Sequence, residues 1–183
     1  MTDWEIREAT VDYARDLAVC HIESWREAYR GLVPDHLLDA FDIDRRTRQW
    51  ARIIAEFELD TPNTTAASTT TVLAVDSTRD PGDRVLGFAH AGPARDNPAP
   101  AERELFALYV RAAHHGTGVA ADLMRAILLP DIDTALWVFE ENPRAMHFYR
   151  KFGFAADGAR RTEPISAAIE IRMIARSGTT ARR

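Results

Sequence analysis

The stretch Glu104–Met124, ELFALYVRAAHHGTGVAADLM, limits the fold more than any other, because it passes from an extended apolar segment through a glycine turn into an amphipathic helix. Leu105, Phe106, Leu108, Tyr109 and Val110 concentrate β-favouring and aromatic residues, which predicts a strand buried on both faces. Val119, Ala120, Leu123, Met124, Ile127 and Leu128 then follow at helical spacing. Between the two lie the connector Arg111–His115 and the glycines Gly116 and Gly118. A helix starting here points the unpaired N–H groups of its first turn at the loop, and together with the positive end of the helix dipole such groups bind phosphate. Glycines in this place also serve merely to turn the chain, so the turn alone leaves both readings open. Two common phosphate motifs do not fit. Gly116-Thr117-Gly118 continues into Val119, Ala120 and Ala121 without the third glycine of the dinucleotide fingerprint, and no acidic residue ends a second strand where a ribose would need it. No Gly-Lys-Ser/Thr follows either, which removes the P-loop.

The segment His115-Gly116-Thr117-Gly118-Val119-Ala120 resembles the Arg/Gln-x-x-Gly-x-Gly/Ala loop of the GNAT superfamily of acetyl-CoA-dependent N-acetyltransferases. Downstream, Asn142-Pro143-Arg144-Ala145-Met146-His147-Phe148-Tyr149-Arg150-Lys151-Phe152-Gly153-Phe154 is similar to that family's Asn-x-x-Ala-x-x-Phe-Tyr-x-x-x-Gly-Phe segment, with one expected strand between the two. Together they cover about the C-terminal half of the chain. His115 departs from the family's Arg or Gln, which touches a side-chain contact and leaves the loop amides intact. The resemblance implies an α/β (α+β) GNAT fold: a single domain with a central mixed, mostly antiparallel sheet of about seven strands flanked by helices. It also implies acetyl-CoA as co-substrate and a primary amine of a small molecule, an amino acid derivative or a protein as acceptor. A non-catalytic GNAT-fold module that senses CoA is the alternative.

Composition narrows the field. A chain of 183 residues is most economically one domain, able to bury roughly two thirds of its unfolded surface. A net charge of −5 and a pI near 5.7, with scattered basic residues, argue against nucleic acid as a partner. The lone cysteine, Cys20, excludes an internal disulfide and cysteine-based metal sites; no metal is expected and a reducing cytoplasm is the default. The first residues, with Asp3, Glu5, Arg7 and Glu8, lack a signal-peptide pattern, and no run is long and apolar enough for a membrane span. Lysine occurs once, at Lys151, among abundant arginines, which reads as codon bias in a GC-rich genome. Pairing with a second copy as a homodimer stays open.

Along the chain, Trp4–Glu8 alternates as a strand, and Thr10 is expected to cap a helix running from Val11 to about Tyr29 and closed by Gly31. His21 lies mid-stripe on that helix, where a satisfied core histidine is the ordinary outcome. Pro34 is expected to start a short helical turn, and Asp42 or Asp44 to cap a helix through Trp50 to Phe57. The polar run 61–71 reads as a mobile loop. Thr71–Val75 and Val85–Ala91 read as strands joined by the turn Arg79–Asp83, and Thr134–Phe139 as a fifth strand. Asn142, Pro143 and Gly153 mark a helix from Pro143 to about Phe152, and Phe154–Arg161 and Ala167–Ile174 close the sheet. The domain is expected to span 1–174, with 175–183 frayed.

For the chemistry, a thioester carbonyl must be held near a neutral amine while the departing thiolate receives a proton. The resemblance places the pyrophosphate on His115, Gly116, Thr117, Gly118, Val119 and Ala120, the pantetheine arm beside Leu108, Tyr109 and Val110, and further cofactor contacts at Asn142, Ala145 and Tyr149. It also assigns Tyr149 as the general acid, a role suited to a phenol with a pKa near 10. Core packing is the alternative for that tyrosine. Glu104, which shares a strand face with Phe106, Leu108 and Val110, is the candidate base, with a solvated strand-end carboxylate as the other reading. His90 is an alternative base or pocket residue. His21–Pro34 resembles a segment of many bacterial GNAT proteins that helps wall the acceptor site, which marks Trp25 and Tyr29 as acceptor-facing candidates; core packing is the competing reading for both.

Overall fold

A computed structural model describes residues 4–31, 33–58, 67–163 and 168–178. The elements are β1 (Glu5–Glu8), α1 (Ala14–Tyr29), α2 (Asp35–Asp39), α3 (Ile43–Glu58), β2 (Thr70–Val75), β3 (Val85–Pro93), β4 (Arg103–Val110), α4 (Val119–Ile127), β5 (Thr134–Phe139), α5 (Pro143–Arg150), β6 (Ala155–Thr162) and β7 (Ile169–Ala175). The strands form one seven-stranded sheet in the order β1-β2-β3-β4-β5-β7-β6. β1 pairs antiparallel with β2, and β7 antiparallel with both β5 and β6, whereas β4 and β5 are parallel. The sheet is therefore mixed and mostly antiparallel, as expected. By residue contacts the chain divides into two compact units, Met1–Thr64 with Ser68–His90 and Ala107–Ile127, and Thr65–Ala67 with Ala91–Phe106 and Leu128–Arg183.

In the first unit, the apolar stripes of α1 and α3 meet strands that are buried nearly throughout. Leu17, Ala18 and Cys20 of α1 and Trp50 and Ile54 of α3 pack with Leu73 and Val75 of β2 and Val85 and Phe88 of β3. Each large side chain buried this way stabilises the fold by about 1.5–3 kcal/mol. Asp16, on the same helix, is buried because it is satisfied: its carboxylate accepts from the Gly82 amide and the Arg84 guanidinium, tying α1 to the turn before β3. Gly87 marks a close backbone approach, since a Cβ there would stand 2.7 Å from the Tyr109 carbonyl oxygen. Three expectations need correction. Thr10 makes no side-chain cap, and Val11–Tyr13 form a 3-10 turn ahead of α1. Thr70 belongs to β2 rather than to the loop, extending by one residue the strand expected from Thr71, because β-branched residues suit a pleated position; 61–66 lie outside the described residues. In β4 only Arg103, Glu104 and Leu105 are fully buried, and 106–110 are half-buried rather than covered on both faces.

In the second unit, β5 and β7 share a six-pair ladder from Thr134↔Ala175 to Phe139↔Glu170. The parallel ladder of β4 with β5 covers Arg103↔Thr134, Glu104↔Ala135 and Leu105↔Leu136. β6 is an exposed edge, and its charges protect it from pairing further: Arg160 meets Glu140 and Arg161 meets Glu170. The chain after β7 is not frayed where it is described, because the Ser177 amide and the Arg176 guanidinium both donate to Asp133. Residues 179–183 lie outside the described residues.

Candidate functional site

The glycine turn is built for donors. Gly116 and Gly118 have φ of +80° and +109°, a backbone conformation that L side chains rarely adopt. The amides of Ala121 and Asp122 are satisfied by the Gly118 carbonyl, and that of Thr117 by the His114 carbonyl. Those of Gly116, Gly118, Val119 and Ala120 have no acceptor among the described residues. Residues 115–118 are exposed, while Val119 is fully buried and anchors the helix start. The indole of Trp4 donates to the Asp122 carboxylate at 3.1 Å, which also receives Arg125, so the acid in the first turn of α4 is engaged. His115 folds back, its Nε2 donating to the Val110 carbonyl at 2.9 Å. Glu27 holds the approach to the turn, accepting from the Ala112 amide at 2.7 Å and from Arg111. Burial, then the neighbouring Arg79 and Arg111, lowers the pKa of His114.

Leu108, Tyr109 and Val110 continue β4 as half-buried positions. Tyr109 belongs to an aromatic cluster that also holds Trp25 and Tyr29. The Tyr109 and Tyr29 hydroxyls are 3.3 Å apart, Tyr29 meets Trp25 edge-on at 4.9 Å, and Trp25 meets Phe41 edge-on at 5.3 Å. The Trp25 indole N–H is buried without an acceptor among the described residues. His21 stacks on Tyr109, and its Nδ1 accepts from the Trp50 indole at 3.2 Å. Burial, with Arg46 and His90 nearby, pushes its pKa down to about 3, so it is the satisfied neutral core residue that its place on the stripe implied. His90 bonds the Thr71 hydroxyl at 2.8 Å through Nδ1 and lies edge-on to Trp50 at 5.2 Å.

In the second unit, the Asn142 side chain accepts from the Ala145 amide at 3.0 Å, and Pro143 follows at the first helical position, as its sequence requires. The helix ends at Arg150, and 151–153 form the turn that Gly153 closes at φ +84°. Tyr149 is half-buried on α5, with Phe148 at 5.6 Å and Phe154 at 5.9 Å between ring centroids. Glu104 is not the open base that a strand-end carboxylate would be. It is buried, and Arg95 covers it with three donors: its amide at 3.1 Å, Nε at 3.2 Å and a second guanidinium nitrogen at 2.5 Å. The same guanidinium lies 4.2 Å from the Phe106 ring centroid, which puts Glu104 and Phe106 on one strand face as alternation requires.

Sequence reasoning missed Arg95 and Arg46. Arg95 gave no signal, because it lies in an irregular Pro-rich connector whose path only the fold sets. Arg46 could have been found from the adjacent pair Arg45-Arg46 just inside a capped helix. Asp42 is that cap, its carboxylate accepting from the Arg45 amide at 2.6 Å, so of the two expected candidates it is Asp42 rather than Asp44.

Known proteins agree with this architecture. The chain is 24% identical over 156 residues to the uncharacterized N-acetyltransferase YuaI of Bacillus subtilis, covering 80% of this chain and 78% of that one. It is 26% identical over 159 residues to a probable N-acetyltransferase of Mycobacterium tuberculosis, covering 85% and 82%. Among solved structures it is similar to the PaiA N-acetyltransferase of Thermoplasma acidophilum in complex with coenzyme A, with a TM-score of 0.66 at 17% identity over 96% of this chain and 99% of that one. The model of the acetyltransferase (GNAT) family matches residues 22–154, and with the seven-stranded mixed sheet and the glycine turn opening α4, the chain belongs to that family.

Proposed function

We propose that this chain is an N-acetyltransferase that takes acetyl-CoA and acetylates a primary amine. The observation that carries the reading is the set of amides at Gly116, Gly118, Val119 and Ala120, without acceptors among the described residues, at the head of α4. Four N–H groups at one helix start, two of them on glycines in the left-handed region, fit a pyrophosphate, which brings several acceptor oxygens and negative charge. The family match and the coenzyme A held by the similar Thermoplasma protein support the same reading. On this reading the half-buried stretch Leu108–Val110 lies along the pantetheine arm, and its backbone polarises the thioester carbonyl.

In the reaction the neutral amine nitrogen forms a bond to the thioester carbon and the C–S bond breaks. The thiolate takes its proton from the Tyr149 hydroxyl, the amine's surplus proton leaves to solvent, and solvent returns a proton to the Tyr149 phenolate. Glu104 does not serve as a free base here, because its oxygens are committed to Arg95; the pair instead fixes the start of β4. Thiol release with a panel of amines tests the reading, and Tyr149→Phe sharpens it. Losing the general acid lowers turnover about a hundredfold, while deleting one hydroxyl costs about 1 kcal/mol of stability. Turnover equal to wild type, with chemistry rate-limiting, would make Tyr149 a packing residue. Acetyl-CoA binding without thiol release for any amine would favour a CoA-sensing module.

A further inference from the structure

The N-terminal end of α3 carries a cavity of about 260 Å³ lined by Ala40, Phe41, Asp42, Arg45, Arg46 and Gln49. Its charge is opposite to that of the chain as a whole, whose formal net charge is −5. Two guanidiniums and an amide side chain face one carboxylate, and that carboxylate is committed to capping the Arg45 amide. Among the described residues neither Arg45 nor Arg46 has a carboxylate partner, whereas Arg15, one helix away, is paired with Asp44. Arg46 is half-buried, with its guanidinium carbon 5.7 Å from the Phe41 ring centroid, and burial lowers its pKa. A partly desolvated guanidinium without a counter-ion is unfavourable unless a ligand supplies one.

From Phe41, which lines the cavity, a chain of aromatic contacts leads to the strand that the proposed acetyl donor follows. Phe41 meets Trp25, Trp25 meets Tyr29, and the Tyr29 hydroxyl lies beside that of Tyr109 on β4. Within that aromatic chain the buried Trp25 indole N–H has no acceptor among the described residues. The chain starts at Phe41, beside the two guanidiniums that line the cavity.

We infer that this cavity holds a carboxylate of the acceptor, with Arg46 as its anchoring residue, so that the acceptor is an amino-acid-like amine with a free carboxylate rather than a polyamine. The inference rests on the N-acetyltransferase reading and names its substrate class. A guanidinium grips a carboxylate through two parallel hydrogen bonds, which orients the molecule as well as holding it, and a second positive charge at Arg45 repels the extra ammonium of a diamine.

The test pairs free amino acids with their C-terminal amides, and adds putrescine, spermidine and phosphoethanolamine, in a thiol-release assay with acetyl-CoA. Free amino acids should exceed their amides about tenfold or more in kcat/KM, as expected for a charge-assisted bidentate contact, and mainly through KM. Arg46→Gln should erase that gap, and Arg46→Lys should restore only part of it because the fork geometry is lost. Amides or diamines used as well as free amino acids, phosphoethanolamine preferred over them, or a gap that survives Arg46→Gln would each overturn the inference. Calorimetric titration of N-acetyl amino acids against their amides reads the same preference without turnover; absence of a carboxylate-dependent, Arg46-dependent signal overturns it. A parallel titration with acetyl-CoA judges the enzymatic reading separately: failure to bind acetyl-CoA removes that reading, while the N-acetyl amino acid titration still decides the cavity.

Discussion

Gly118 separates backbone strain from charge at the proposed phosphate site. Its φ is +109°, and a Cβ built on it meets nothing nearer than the Trp4 ring at 3.8 Å, so a side chain fits the space but not the backbone conformation. Gly118→Ala should therefore cost about 1–2 kcal/mol of stability, which lowers Tm by about 2–8 °C in a chain of this size. Gly118→Asp should cost no more, since aspartate tolerates the left-handed region better than alanine does. The two variants differ in binding. A carboxylate about 4 Å from a phosphate charge opposes it by about 4 kcal/mol at an effective dielectric of about 20. Allowing for salt screening, this leaves a loss of at least about a hundredfold in acetyl-CoA affinity. Calorimetry of both variants, with melting curves to show that each is folded, reads the difference directly. An aspartate variant that binds acetyl-CoA within about threefold of the alanine variant would refute the loop assignment, because strain is common to both and only the charge differs.

Gly87→Ala should be the more damaging glycine change, because its Cβ would press on the Tyr109 carbonyl at 2.7 Å and on Val110 at 2.8 Å. Overpacking against backbone costs about 1–3 kcal/mol or more, and a Tm equal to wild type would count against the close approach of β3 and β4. Asn142→Ala should lose about 1 kcal/mol through its cap to the Ala145 amide; Asn142→Asp should recover most of it, and equal denaturant midpoints for the alanine variant and wild type would contradict the cap. His21 should make stability fall in mild acid. Its folded pKa of about 3 lies below the ordinary 6.5, so the unfolded chain binds the extra proton between those values and stability is lost as pH drops through that window. The slope is at most about 1.4 kcal/mol per pH unit, and a slope unchanged in His21→Leu would assign the acid sensitivity to other groups.

Local chemistry was legible in the sequence. The strand, glycine turn and helix around Glu104–Met124, the strand Thr134–Phe139, and the Asn142 cap followed by Pro143 all depend on neighbours within a few residues, so side-chain period, φ preference and capping geometry declare them. The family motifs lie in those same local segments, where the proposed binding by backbone amides would leave a strict requirement for glycine. The sequence also placed His21 on an apolar stripe, which was enough to read it as core. What the sequence did not contain were pairings made over long separations along the chain. Arg95 reaching Glu104 turned a candidate base into a buried carboxylate held by an exposed guanidinium, because a carboxylate's availability depends on which cation the fold brings to it. The insertion of β7 between β5 and β6, and the half-open faces of Leu108–Val110, depend on sheet pairing that no local pattern encodes. The environment of Arg46 was equally hidden. A charge at a helix start reads as a solvated residue until the tertiary structure brings Phe41 beside it and, among the described residues, no carboxylate.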